Sequence, residues 1–244
     1  MDEKVRNDVR VKYNYLVNNK INTFMAIDDS VDRIVIYCHG LGANKIWATR
    51  FYDYLLTNKI GIISFDFPGH GEDKTDFVYF NLSLCISYLE EMIDYVKIKY
   101  NVPIYLFGSS FGGFVILNKL IKTDINIKKA MLLCPAINFC EIMENKSGIS
   151  IDYFNTNEFM SLYNNIKIYK DAYLEFKNGN NAVKNYEFQN VSIIQGTLDR
   201  TVLYDDISKF CKKNNLKLTT IEGGKHELYG YDEEIINFML ENID

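Results

Sequence analysis

Histidine is scarce in this chain, with three among 244 residues, so any chemistry that needs an imidazole must draw on His39, His70 or His226. Long apolar runs are absent. No stretch approaches the ~18 residues that a membrane span needs, and no membrane partner is expected. Met1 to Arg6 lack the apolar core of a signal peptide. Paired cysteine spacing is missing too. Cys38, Cys85, Cys134, Cys140 and Cys211 are odd in number, which reads as buried thiols in a reducing, cytoplasmic setting rather than a disulfide framework. There is no clustered His/Cys set for zinc, and the glycine motifs are neither a dinucleotide fingerprint nor a phosphate loop, so no metal and no cofactor are expected. Basic charge is not in excess. Lys and Arg number 27 against 32 Asp and Glu, for a net charge of −5 and a pI near 5.3, and no basic stripe invites nucleic acid. Internal repeats and low-complexity linkers are likewise lacking. The abundance of Lys, Asn, Ile and Tyr is a compositional bias without functional content.

What the chain does have is 48% hydrophobic residues, enough for one large α/β domain or a domain with an insertion. Val9, Val11, Tyr13 and Tyr15 alternate with polar residues, and Ile21 to Ile27 reads as a return strand. The N-terminus is therefore an expected antiparallel hairpin. Short apolar runs follow at Arg33–Cys38, Gly61–Phe65, Pro103–Phe107, Ala130–Cys134, Val191–Ile194 and Leu216–Ile221. Such runs, buried on both faces, mark a mostly parallel sheet. Between them lie amphipathic helices. One carries Trp47, Phe51 and Tyr54-Leu55 on one face. A longer one repeats apolar residues from Leu82 to Val96 at three-to-four spacing, and the last spans Asp232 to Leu240. The fold class is α/β, with helices on both faces. From about 137 to 187 no clean strand–helix unit appears, only many aromatics. That is too long for a connecting loop. It reads as an inserted cap (137–187) over a core formed by 1–136 and 188–244.

Gly108-Ser109-Ser110-Phe111-Gly112 follows an expected strand and opens an apolar helical stretch. This is G-x-S-x-G in the setting that gives the motif its meaning. Ser110 sits at the apex of the reversal, and the glycines allow strand and helix to cross closely. The helix aims its N–H groups and positive dipole end at the serine. A serine hydroxyl needs a base. His39 and His70 are locked near glycines at strand ends and read as loop-shaping residues. His226 follows the last strand on a Gly-Gly loop and is the favoured base. Asp199, in the loop after the preceding strand, is placed to orient it, whereas Asp205 and Asp206 fall within an expected helix. Two main-chain donors for an oxyanion are available in the amides of Phe111 and of Leu41, the latter in His39-Gly40-Leu41-Gly42.

Together, His39-Gly-Leu-Gly42, Asp66-Phe-Pro-Gly-His-Gly71, Gly108-Ser-Ser-Phe-Gly-Gly113, Gly196-Thr-Leu-Asp199 and His226 resemble the α/β-hydrolases. The resemblance is to the branch of serine-aminopeptidase-like hydrolases, monoacylglycerol lipases and cinnamoyl or feruloyl esterases. It spans nearly the whole chain, in the order Ser110, Asp199, His226. It implies an α/β-hydrolase fold, loop-shaping roles for Asp66 and His70, and a cap like that of cinnamoyl esterases. The expected activity is serine hydrolysis of a small-molecule carboxylic ester, short acyl or aryl, with hydroxycinnamoyl esters included by resemblance. Monoacylglycerol lipase, peptidase, amidase and thioesterase activities are alternatives on the same site. A non-catalytic receptor on this fold would not need the complete Ser–Asp–His set. Among the cap aromatics, most are expected to form the cap's own core. Tyr153, Phe154 and Tyr169 are the candidates to face the substrate.

Overall fold

The computed structural model describes residues 10–18, 20–122, 126–148 and 150–243. Val9 lies outside them. The chain opens with β1 (Arg10–Val17) and β2 (Ile21–Ile27), paired antiparallel as the alternation predicts. Then come β3 (Arg33–Cys38), α1 (Tyr52–Thr57), β4 (Ile60–Phe65), α2 (Leu82–Lys99) and β5 (Ile104–Ser109). Next are α3 (Phe111–Lys122), β6 (Lys129–Leu133), α4 (Phe139–Ser147), β7 (Phe159–Ser161), β8 (Lys167–Tyr169) and α5 (Lys170–Asn185). The chain finishes with β9 (Val191–Gly196), α6 (Tyr204–Asn214), β10 (Lys217–Ile221) and α7 (Asp232–Leu240). Eight strands form one sheet in the order β1-β2-β4-β3-β5-β6-β9-β10, while β7 and β8 form a separate antiparallel pair. β2 meets β4 antiparallel, and from β4 to β10 every pairing is parallel.

Side chains alternate across the central strands because successive Cβ atoms point to opposite faces. Ile34, Ile36 and Cys38 of β3 join a core with α2, α3 and α6, and Val35 and Tyr37 join another with α1 and α7. Both faces of the sheet are thereby covered, which is why its strands read as unbroken apolar runs. α2 buries Leu82, Cys85, Ile86, Leu89, Met92, Ile93 and Val96, the face that the spacing predicts. All five cysteines are free and buried.

Two elements differ from the sequence expectation. The helix read through Trp47, Phe51 and Tyr54-Leu55 is a 3-10 turn at Lys45–Arg50 followed by α1. The change of pitch at Phe51 keeps Phe51 and Leu55 buried but turns Tyr54 out to 60% exposure. The stretch 137–187 is also more regular than it reads, with α4, the β7–β8 hairpin and the 16-residue α5. Ala172, Tyr173, Phe176, Gly179, Asn180 and Val183 form the buried stripe of α5 at helical spacing. Glycine and asparagine, poor helix formers, occupy the middle of that stripe and hide it from an apolar pattern search.

α5 is not confined to packing within the segment 137–187. Phe176 lies within ring-contact distance of Phe80, Phe111, Phe114 and Phe139, joining the segment to the start of α3.

Candidate active site

Ser110 stands between β5 and α3 with φ 51°, a left-handed conformation that a non-glycine residue adopts at a steric cost. The surroundings over-determine it. Its N–H donates to the Leu133 carbonyl at 2.9 Å, and its own carbonyl accepts from Ala136 N–H at 3.0 Å and Phe114 N–H at 3.2 Å. Close approach of α3 to β3 demands glycine two residues later, since a Cβ on Gly112 would lie 2.1 Å from the Cys38 carbonyl oxygen.

The loops after β9 and β10 are laced together. Leu198 N–H donates to the Gly224 carbonyl at 2.8 Å, and Gly223 N–H donates to Thr197 Oγ1 at 2.9 Å. A Cβ on Gly196 would fall 2.2 Å from the Gly224 oxygen, so the two loops can touch only through glycine. This contact brings Asp199 and His226 together. His226 Nδ1 lies 2.8 Å from Asp199 Oδ2, and His226 Nε2 lies 2.9 Å from Ser110 Oγ. An ionised carboxylate only accepts, so Nδ1 carries the proton, and Nε2 is left to accept from the serine hydroxyl.

Asp199 is 4% exposed. Burial works against its charge, but the His226 hydrogen bond and the Val202 and Thr201 N–H groups outweigh it, and the carboxyl is held below its ordinary range. Oδ1 accepts from Thr201 N–H at 2.8 Å and Val202 N–H at 2.9 Å. Gln195 Nε2 donates to Oδ2 at 2.9 Å. The sequence reading did not single out Gln195. Its place four residues before Asp199, at a strand end, is the only trace it leaves in the chain.

His39 and His70 shape the neighbouring loops. His39 Nε2 accepts from Phe67 N–H at 3.0 Å, and Nδ1–H donates to the Gly40 carbonyl at 2.7 Å. Burial above all, with His70 and Lys45 adding, drives its pKa down to about 3. His70 Nδ1 meets the Pro68 carbonyl at 2.9 Å, and its ring centroid is 5.4 Å from that of His39. Asp66 ties the loop after β3 to the loop after β4. Its Oδ1 accepts from Lys45 N–H at 2.8 Å, and its Oδ2 accepts from the Lys45 ammonium at 2.8 Å and Glu72 N–H at 3.0 Å. Asn164 Nδ2, between β7 and β8, donates to the Gly42 carbonyl at 3.0 Å. The Leu41 loop is thus held from two sides. Phe111 is the first residue of α3, so its N–H has no acceptor one turn back within the helix.

A cleft of about 330 Å³ opens over Ser110 and His226. Leu41 lines it. Ala136, Phe139, Ile142, Met143 and Leu162 supply an apolar wall, Trp47 and Tyr229 an aromatic one, and Lys146, Thr201 and Glu227 the polar positions. Tyr153, Phe154 and Tyr169 are not among the cleft residues. Phe154 is buried against Tyr153 and Tyr173, and Tyr169 stacks on Phe159 across the β7–β8 pair. The physical reason is that α4 continues directly from the strand end beside Ser110 and takes most of the wall, while the later part of the segment reaches the cleft at Leu162. Trp47 and Tyr229 escaped the sequence reading because one follows the Leu41 loop and the other the His226 loop, 182 residues away in the chain.

The fold also gathers a group that the spacing did not suggest. Among the described residues, the ligating atoms of Cys134, Asp199 and His226 lie within 4.8 Å of one another. The 2.8 Å contact of Asp199 with His226 is a hydrogen bond with its proton between the two atoms, too short to admit an ion there. Burial, then the Asp199 charge, pushes the Cys134 thiol well up.

Residues 29–150, half of the chain, match the family described as serine aminopeptidase, S33. A Mycoplasma genitalium protein that carries an esterase/lipase name is 28% identical over 127 residues, which cover 51% of this chain and 45% of that protein. The matched stretch therefore spans less than half the length of that relative. The structure of Est1E from Butyrivibrio proteoclasticus with ferulic acid bound superposes with a TM-score of 0.77 at 22% identity, covering 91% of this chain and 95% of that one. A monoacylglycerol lipase from Paleococcus ferrophilus superposes with a TM-score of 0.67 at 14% identity, covering 91% and 97%. These structural likenesses establish the α/β-hydrolase fold.

Proposed function

The chain belongs to the serine aminopeptidase S33 family of hydrolases, and from that premise we propose that it cleaves carboxylic esters of short acyl or aryl acids through a Ser110–His226–Asp199 triad. The observation that carries this reading is the continuous relay from Ser110 Oγ to His226 Nε2 at 2.9 Å and from His226 Nδ1 to Asp199 Oδ2 at 2.8 Å. In this mechanism neutral His226 takes the Ser110 proton as Oγ bonds to the ester carbonyl carbon. The carbonyl oxygen becomes an oxyanion held by the Leu41 and Phe111 amides. On collapse the alcohol leaves, taking the proton from His226 Nε2. Water then bonds to the acyl carbon as the same imidazole takes its proton, and on collapse the acid leaves as Ser110 Oγ recovers the proton from His226 Nε2.

Cleft size supports the substrate class. At about 330 Å³ it sits at the small end of the ~300–1,000 Å³ typical of ligand pockets. The likeness to Est1E, whose structure holds ferulic acid, favours including hydroxycinnamoyl esters. The test is labelling with a fluorophosphonate probe. Labelling at Ser110, lost together with turnover in a folded Ser110→Ala variant, is expected. Undiminished hydrolysis by that variant removes Ser110 from the mechanism.

A further inference from the structure

Gln195 is the penultimate residue of β9 and is fully buried. Its Nε2 donates twice, to Asp199 Oδ2 at 2.9 Å and to the Val202 carbonyl at 3.0 Å. The carboxylate oxygen it reaches is the one that accepts from His226 Nδ1, while the other oxygen is taken by Thr201 and Val202 N–H. Asp199 therefore cannot rotate without breaking hydrogen bonds. The far end of the same amide is different. Gln195 Oε1 is buried with no hydrogen-bond partner among the described residues. A buried acceptor without a partner lowers stability. Methionine would fill a similar volume without that burden, so packing does not account for an amide here.

We propose that Gln195 is a positioning residue of the relay, holding Asp199 Oδ2 in line with His226 Nδ1 and withdrawing part of its negative charge. This rests on the triad reading given above. The titratable groups facing Asp199 are His226, from the loop after β10, and the Cys134 thiol, from the end of β6, with Glu227 acting on that thiol. Burial keeps Cys134 protonated, so it adds no charge near neutral pH. When the Nε2 donor is removed, Oδ2 becomes a stronger acceptor and favours the imidazolium form of His226.

Two variants test this. Gln195→Met should lower kcat about tenfold, equivalent to ~1.4 kcal/mol of barrier. Its KM should stay within about twofold of wild type, because the amide does not touch substrate. The acid limb of its kcat/KM profile should move to higher pH. Gln195→Glu has nearly the same shape. Protonated, its carboxyl donates to Asp199 in place of the amide; ionised, it sets a second negative charge against Asp199. Its kcat should approach wild type at the acid end and fall as pH rises, a descending limb the wild type lacks. Unchanged kcat and profile in Gln195→Met, or an equal loss at every pH in both variants, would overturn the proposal. The downfield proton NMR signal of His226 Nδ1–H reads the same contact without turnover. It should move in folded Gln195→Met, and an unmoved signal also overturns the proposal. Absence of both Ser110 labelling and turnover in the wild type would instead overturn the triad reading, with the NMR comparison still deciding for Gln195.

Discussion

Asp199 and His39 are both buried and both titratable, and they resolve the conflict in opposite ways. Asp199 keeps its charge because donors surround it; its depressed pKa contributes stability above the ordinary carboxylate value of ~3.9 that is lost as pH falls through the folded-state value. Asp199→Asn keeps an acceptor for Thr201 and Val202 but no longer fixes the His226 tautomer. It should cost about 10⁴ in kcat, as the matching change does at another Ser-His-Asp site. The melting midpoint should move by only about 2–4 °C. Steady-state kinetics and calorimetry on one preparation check both. His39 instead stays neutral, since its two bonds fit only the Nδ1–H form and a second proton would face Phe67 N–H. With a folded pKa of about 3, it takes up a proton on unfolding at any pH between that value and ~6.5. Stability is thus complete above ~6.5 and is lost as pH falls toward 3. The melting temperature should drop between pH 7 and pH 5, and His39→Gln, less stable overall, should show a shallower slope. An unchanged slope in that variant would mean that His39 is charged in the fold.

At the scale of the element, the turn between β5 and α3 depends on packing from both sides. Gly112→Ala would force its methyl against the Cys38 carbonyl and push α3 off β3. Overpacking of this kind costs about 1–3 kcal/mol or more, and here it also displaces Ser110. Probe labelling should therefore fall more steeply than thermal stability. From the other side, Phe176 of α5 packs on Phe111, the residue next to the serine. Phe176→Ala should cost about 3–5 kcal/mol of stability by leaving a cavity among four rings. Denaturant unfolding checks the value, and a loss under about 1 kcal/mol would mean that the cluster collapses to fill the space.

For the whole molecule, the segment 137–187 is both wall and core. Ile142, Met143 and Leu162 face the cleft, yet Tyr173, Phe176 and Val183 belong to the main core beneath. Replacing residues 140–185 with a short linker should then give a chain that does not fold, rather than an open enzyme. Circular dichroism on that chain decides. In the intact protein each added CH₂ of an acyl chain gains up to ~0.8 kcal/mol until the cleft is full. The kcat/KM of p-nitrophenyl esters should peak between acetate and hexanoate. A maximum at laurate would sink the short-acyl reading and favour a monoacylglycerol-lipase-like substrate.

Local regularities were legible in the chain itself. The two-residue alternation of β1 and β2, the doubly apolar strands and the three-to-four spacing of α2 report backbone geometry that neighbours in sequence impose on one another. G-x-S-x-G between a strand and a helix marks Ser110 as a candidate nucleophile, and the scarcity of histidine narrows the candidate base to three residues. Tertiary structure alone decided what depends on distant loops meeting. It brought Asp199 to His226 through the Gly196–Gly224 contact, gave Gln195 its hold on Oδ2, and turned Tyr153, Phe154 and Tyr169 away from a cleft that it lined with Trp47, Phe139 and Tyr229. Periodicity tells which face of an element is buried, but not what it is buried against, because that partner is set by the path of the whole chain.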